Sequence, residues 1–180
     1  MNPKRPPTGA TIAGATLLAL TLAAAAGPAA PVAPAARAPE IVSDTWINSP
    51  PQTLASLKGR VVLVEFWTFA CQNCRNVEPY VKRWHERYAE KGLFVIGVHS
   101  PEFPNEADVG NVRRYVQEHE IRHAIALDND FANWKRYGNR YWPALYLIDK
   151  QGFIRYVTVG EGGYDLTETR LKELLAAPAE

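Results

Sequence analysis

Cys71 and Cys74 are the two cysteines of this 180-residue chain. A bridge between residues so close in sequence constrains the unfolded chain little, so the pair makes a poor structural staple. Reversible sulfur chemistry suits it better. Cys71-Gln72-Asn73-Cys74 follows a buried-strand pattern and opens a helical one. The first turn of a helix carries unpaired N–H groups and the positive end of the dipole, and both favour a thiolate. Cys71 is therefore expected to be the nucleophile. Cys74, three residues on, shares its helix face. It can attack a mixed disulfide on Cys71 and leave a Cys71–Cys74 disulfide behind.

Other residues bear on this chemistry. Glu65 lies six residues before Cys71, inside the most apolar run of the chain. Burial there raises a carboxyl's pKa and suits Glu65 to accept the proton of Cys74; a solvent-facing position is the plainer alternative. Pro143 precedes an apolar run, and a cis bond at this point would present the backbone of Trp142 to a bound peptide; a trans proline at a strand start is equally ordinary. Trp134, Tyr137, Tyr141 and Trp142 gather before it, as core or as a docking surface, with Tyr141 and Trp142 the substrate-binding candidates. His99 ends a strand at the same sheet edge as Cys71, as a tuner of the thiolate or as a bystander. No metal is expected: zinc wants four ligands, and His85 stands about 16 Å along the helix from Cys74. The initiator is the one Met, which speaks against copper delivery. No cofactor is expected.

The elements that must hold these residues follow from periodicity. Val61 to Phe66 reads as a strand buried on both faces, and Leu93 to Val98 as a second. Between them, Arg75 to Lys91 has helical spacing, with Val77, Tyr80, Val81, Trp84 and Tyr88 on one stripe and Gly92 as its stop. Strand, helix, strand implies parallel pairing. Trp46-Ile47 is a short strand, Leu54 to Leu57 a helical turn, Pro101 to Asn105 a loop, and Ala107 to His119 a helix. Ala124 to Leu127 is a short strand and Phe131 to Tyr137 a short helix. Ala144 to Ile148 and Phe153 to Val159 form a hairpin. Asp165 to Glu168 fits a capping box for a last helix ending at Leu175. An α/β fold follows, with a central mixed sheet flanked by helices on both faces.

Residues 1–26 read as an export signal or N-terminal anchor: Lys4 and Arg5, then an apolar run from Thr11 to Ala26, then an A-x-A pattern. The run is 16 residues, shorter than the roughly 20 of a spanning helix, which favours cleavage over a membrane tether. No cysteine follows it, which excludes a lipoprotein anchor. Residues 27–39 are an Ala/Pro-rich linker, and residues 40–180 the folded domain. An exported, periplasmic or otherwise extracytoplasmic location follows. Beyond Arg37 the chain has 17 basic and 19 acidic residues, which leaves no electrostatic footprint for nucleic acid.

Leu57 to Val64, Phe66-Trp67 and the Cys-x-x-Cys resemble the redoxin group of the thioredoxin superfamily, and within it the exported TlpA-like thiol–disulfide oxidoreductases. Pro79 matches that family's kinked-helix proline, Pro143 its cis-proline, and Glu65 its buried acid. Over residues 46 to 175 the chain is more similar still to the thioredoxin-like domain of DipZ-type cytochrome-biogenesis proteins. Phe66 to Cys71, Gly97 to Glu102, Ala126 to Asn129, Asn139 to Ala144, Gly160 to Gly162 and Thr167-Glu168 carry that likeness. The resemblance implies a thioredoxin-like fold and disulfide exchange with protein thiols. It also implies a membrane thiol carrier as electron donor, since the membrane part of DipZ-type proteins is absent from this sequence. Ala70 stands where thioredoxins have Trp, and Gln72-Asn73 replaces Gly-Pro. Two other readings remain. Thr68-x-x-Cys71 has the spacing of a thiol peroxidase, although Val64 stands where that motif has proline. A non-catalytic module binding through its aromatic cluster is the second.

Overall fold

A computed structural model describes Met1 and residues 36–178. The expected signal segment and most of the linker lie outside the described residues. Those described from residue 36 onward belong to one compact unit, Ala33–Glu180. Among them no helix is long and apolar enough to cross a membrane.

The elements run β1 (Trp46–Ile47), β2 (Val61–Trp67), α1 (Gln72–Tyr88), β3 (Leu93–His99), α2 (Val109–Glu118), β4 (Ala124–Leu127), α3 (Ala132–Arg136), β5 (Ala144–Ile148), β6 (Ile154–Val159) and α4 (Tyr164–Ala176). They build a six-stranded mixed sheet in the order β1-β4-β3-β2-β5-β6. β2 pairs parallel with β3 and antiparallel with β5, and β3 pairs parallel with β4. This is the α/β fold with a mixed central sheet expected from the alternation of strand and helix patterns, and it is the thioredoxin-like fold that the resemblance implies.

Alternation along β2 divides the core. Val62, Val64 and Phe66 face a layer made by Ala38, Ile41, Leu57, Trp134 of α3 and Tyr137 just beyond it. Val61 and Leu63 face α1 and α4 through Val77, Val81, Trp84 and Leu171. Trp67, on that second face, packs with Cys74 and with Val112, Tyr115 and Val116 of α2. Every residue of β2 is buried, as a strand paired on both edges and covered on both faces must be.

Several boundaries move. Gln72, not Arg75, begins α1, because Cys71 is itself its N-cap. Pro79 lies inside α1, and left-handed Gly92 stops the chain after a final 3₁₀ turn. β3 runs on through His99. Asp108 caps α2 by accepting the Asn111 N–H at 2.9 Å, so that helix starts at Val109 rather than Ala107. The capping box at Asp165 does not form: α4 begins after left-handed Gly163, without a side-chain cap. Glu168 instead accepts the Tyr88 hydroxyl at 2.6 Å. The ordered chain also starts before Glu40. The Ala38 N–H donates to Gly152 O at 2.9 Å, and Ile154 N–H to Ala36 O at 2.9 Å, so residues 36–39 are tied to the β5–β6 turn rather than being free linker.

Gly97 of β3 is required by close approach. A Cβ there would sit 2.7 Å from Trp67 Nε1 and 2.7 Å from Ile125 Cδ1. Trp67 is fixed by its packing and has nowhere to retreat. Gly97→Ala should lower stability by about 1–3 kcal/mol, the usual range for overpacking a core. Urea unfolding should give a lower midpoint at unchanged slope; an unchanged midpoint would mean that Trp67 is free to move.

Candidate active site

The C-terminal ends of β2 and β3 deliver the site. β2 ends at Trp67, three residues lead to Cys71, and α1 starts at once. Cys71 has extended backbone angles (φ −73°, ψ 116°), and its sulfur accepts the N–H of Cys74 at 3.3 Å. A sulfur thus does what a Ser or Asp oxygen does at other helix N-termini, meeting one of the orphan N–H groups. Its carbonyl accepts from Arg75 N at 3.2 Å. Cys71 is half-buried, whereas Cys74 is only 3% exposed. Both are free thiols. Burial pushes the Cys74 thiol far up, and its contact with Cys71 and the charge of Glu65 push the same way.

Glu65 is buried, as its place in the apolar run implies. Desolvation, aided by the charge of Glu78, raises its pKa to about 8. By strand alternation it points to the same face as Trp67, toward α1 and Cys74. It lies in register with Gly97, the residue that Trp67 covers. Glu78, one turn beyond Cys74 on α1, accepts the Tyr115 hydroxyl at 2.8 Å and meets His119 Nδ1 at 3.0 Å. The α1–α2 seam therefore carries an acid close enough to act on Glu65.

The Trp142–Pro143 peptide is cis. Pro143 O accepts the Gly160 N–H at 2.8 Å, and the Trp142 indole donates to Ser100 O at 3.0 Å. The aromatic cluster divides. Trp134 and Tyr137 pack edge-on against Phe66 in the core. Trp142 lies tilted against Trp134, with ring centroids 4.3 Å apart, and packs into the cluster that includes Cys71. Tyr141 is 64% exposed, while its carbonyl is held by Asn139 at 3.1 Å. One ring of the four is thus offered to solvent on a fixed backbone.

His99 is fully buried within β3 and not on a loop. Desolvation lowers its pKa to about 4. Its Nε2 is 3.3 Å from Thr68 Oγ1, and the Thr68 hydroxyl donates to Glu106 Oε1 at 2.5 Å. With that single hydrogen engaged, the Thr68 oxygen can only accept, which assigns the proton of neutral His99 to Nε2.

Sequence reasoning missed Glu106, which is fully buried. It accepts four donors: the Thr68 hydroxyl, the Ala70 N–H at 2.8 Å, the Glu102 N–H at 2.7 Å and the Phe103 N–H at 2.8 Å. Burial alone would raise this carboxyl; the hydrogen bonds from Thr68, Ala70, Phe103 and Glu102 outweigh it and hold the group below its usual range. The available signal was Pro104-Asn105-Glu106, an N-terminal proline followed by an acid that can reach back to the turn's first N–H groups. It opens a 3₁₀ turn over Pro104–Glu106. The charged residue in it stands between a loop and a helix in the sequence and belongs to neither pattern.

Known proteins agree with this geometry. The AhpC/TSA family model matches residues 34–157. The chain is 46% identical over 142 residues to Protein DipZ of Mycobacterium tuberculosis, covering 77% of this chain and 20% of that protein. It thus spans a fifth of the length of DipZ. It is 30% identical over 139 residues to the thiol-disulfide oxidoreductase YkuV of Bacillus subtilis, covering 77% of this chain and 93% of YkuV. Among solved structures, a thiol-disulfide isomerase from Corynebacterium glutamicum superposes with a TM-score of 0.69 at 26% identity, over 78% of this chain and 98% of that one. On these matches, and with the fold and the Cys71–Cys74 pair described above, the chain belongs to the AhpC/TSA family and, within it, to the thioredoxin-like proteins that carry a Cys-x-x-Cys pair.

Proposed function

We propose that this chain is an exported thiol–disulfide oxidoreductase that reduces disulfides in partner proteins. The observation that carries the proposal is the asymmetry of the two sulfurs: Cys71 caps a helix at the rim, and Cys74 is shut behind it at 3% exposure. A partner disulfide can reach Cys71 first. The Cys71 thiolate attacks one sulfur of the partner, forming a mixed disulfide and releasing the other partner sulfur as a thiolate. Cys74 then loses its proton and attacks the Cys71 sulfur. The Cys71–Cys74 disulfide forms, the second partner sulfur leaves, and two electrons have passed to the partner.

Cys74 needs a proton acceptor, because burial disfavours its thiolate. Glu65 is suited to this role: with a pKa near 8 it is far closer to a thiol in basicity than an exposed carboxylate is. Trp142 and Tyr141 form the contact with the partner polypeptide, next to Pro143. The basic, then apolar N-terminus supports export. The name of the relative YkuV, a thiol-disulfide oxidoreductase, supports the reaction class. A membrane thiol carrier would return the electrons. The reducing direction rests on the likeness to TlpA-like proteins; a potential as oxidising as about −120 mV would make the chain an oxidant instead. The peroxidase reading loses ground, since Thr68 is fully buried and gives its hydrogen to Glu106 rather than to a peroxide.

In Cys74→Ser, resolution is blocked, and the natural partner should stay linked to Cys71 as an adduct that thiol reagents release. Mass spectrometry of proteins captured from cells would identify it. Absence of any adduct, together with no reduction of insulin by the wild-type chain, would sink the proposal.

Glu65→Gln carries a second test, with opposite signs for stability and rate. The carboxyl of Glu65 has a folded pKa above its unfolded one, so the unfolded chain ionises first as pH rises above about 4.5. Its penalty on the native state grows from there and levels off above pH 8. Glu65→Gln should therefore match the wild type near pH 4 and exceed it by a few kcal/mol at pH 8 and above, in urea titrations. Release of the mixed disulfide should rise through pH 8 in the wild type and lose that midpoint in the variant. A variant that is no more stable at pH 8, with an unchanged rate profile, would remove Glu65 from the mechanism.

A further inference from the structure

We propose that Glu106 is a positioning residue for disulfide exchange: one buried carboxylate clamps the loop that delivers Cys71 to the loop that carries Phe103, and so presents Phe103 to the partner polypeptide. The inference rests on the exchange activity proposed above and adds to it a residue that touches neither sulfur.

The geometry is specific. Oε1 takes the Thr68 hydroxyl and the Ala70 N–H, both from the three-residue link between β2 and the nucleophile. Oε2 takes the N–H groups of Glu102 and Phe103. Each oxygen thus holds one loop, and only a group with two acceptor oxygens and no hydrogen of its own can hold both. The link's other ties involve Thr68 and Phe69: Thr68 Oγ1 meets His99 Nε2 at 3.3 Å, the Phe69 carbonyl accepts from Arg75 Nε at 2.9 Å, and the Phe69 ring stacks on His99 and Tyr115. Ala70 has no side chain with which to anchor itself. Its N–H, immediately before Cys71, is fixed by Glu106 alone among the described hydrogen bonds.

The second loop ends in an exposed aromatic. Phe103 is 51% exposed although its backbone is pinned by a buried carboxylate. An apolar residue whose backbone is already pinned has less entropy left to lose when a polypeptide packs on it. Tyr141, exposed on its own fixed backbone, has the same character on the segment before Pro143. A partner polypeptide with an apolar side chain near its disulfide has something to pack on such a ring, whereas a small disulfide has not.

A residue needed only for folding would slow every substrate alike; a clamp that presents Phe103 slows a polypeptide more than a small disulfide.

The test compares the wild type with Glu106→Gln, Glu106→Asp, Thr68→Val and Phe103→Ala. It uses insulin as the polypeptide disulfide and an aliphatic small disulfide as control, and follows Cys74 alkylation as a check that the site stays closed. Glu106→Gln should slow exchange with insulin by about tenfold or more, as loss of alignment at a reacting atom does. Exchange with the small disulfide should fall less, because that substrate does not depend on Phe103. Glu106→Asp keeps two acceptor oxygens but is too short to span both loops, so it should lose the insulin rate as well. Phe103→Ala should raise the KM for insulin and leave the small disulfide unaffected. Thr68→Val removes one of four donors and should give part of the Glu106→Gln rate loss. Cys74 should stay shielded from alkylation in every variant; where Glu106→Gln exposes it, Thr68→Val and Phe103→Ala decide the matter. Unchanged insulin rates in those two, or a Glu106→Gln rate loss that is equal for insulin and the small disulfide, would overturn the positioning role. If the wild type reduces no polypeptide at all, the proposed function fails, while the small-disulfide rates of the wild type and Glu106→Gln still test the clamp.

Discussion

Cys71 closes the first turn of α1 with its own sulfur, and most of the site follows from that contact. An Asp or Ser at the same place would satisfy the Cys74 N–H with oxygen and end the matter structurally. A sulfur there is held in line with the helix axis, faces the positive end of the dipole, and has the next cysteine directly behind it. The geometry demands that the strand before it stop abruptly. β2 does so because both its neighbours support it to the last residues: β3 pairs with it through Trp67 and β5 through Phe66. The nucleophile is therefore as well placed as the centre of the sheet, although it stands on a loop.

Two buried glutamates flank this arrangement in opposite states, and the difference is a count of donors. Glu65 meets desolvation together with the charge of Glu78, and keeps its proton past neutrality. Glu106 meets desolvation too, but four donors converge on it and hold it ionised. A buried carboxylate with several hydrogen bonds is tolerable, whereas one without them neutralises itself. One acid is thereby available to exchange a proton and the other is not. The same sheet edge supports both because each is fed by a different element: Glu65 by the strand, Glu106 by the turn after β3.

Much of this was readable from the residues. The runs at Val61 and Leu93 gave two central strands because strands buried on both faces leave an unbroken apolar stretch. The helical stripe Val77, Val81, Trp84 and Tyr88 is the buried face of α1. Glu65 was found by its incongruity, a charge inside the most apolar run. What escaped detection was long-range or conformational. Tyr141 and Trp142 are adjacent and alike, yet one is open and one packs on Trp134; that depends on a loop path that local sequence does not encode. Glu106 has partners 36 and 38 residues earlier in the chain, at Ala70 and Thr68. The capping pattern at Asp165 failed because Gly163, in a left-handed conformation, had already started the helix.

The register of β2 binds these observations together. Its side chains alternate between faces, so a slip of one residue would turn Glu65 toward α3 and Val64 toward Cys74. The seven pairs with β3 and the five with β5 oppose such a slip. Gly97 adds a shape constraint: the residue opposite Glu65 lacks a side chain, and the Trp67 indole occupies the space that a Cβ there would need. Glu65 itself sits in a strand buried along its whole length, and that burial gives the carboxyl a basicity near that of a thiol.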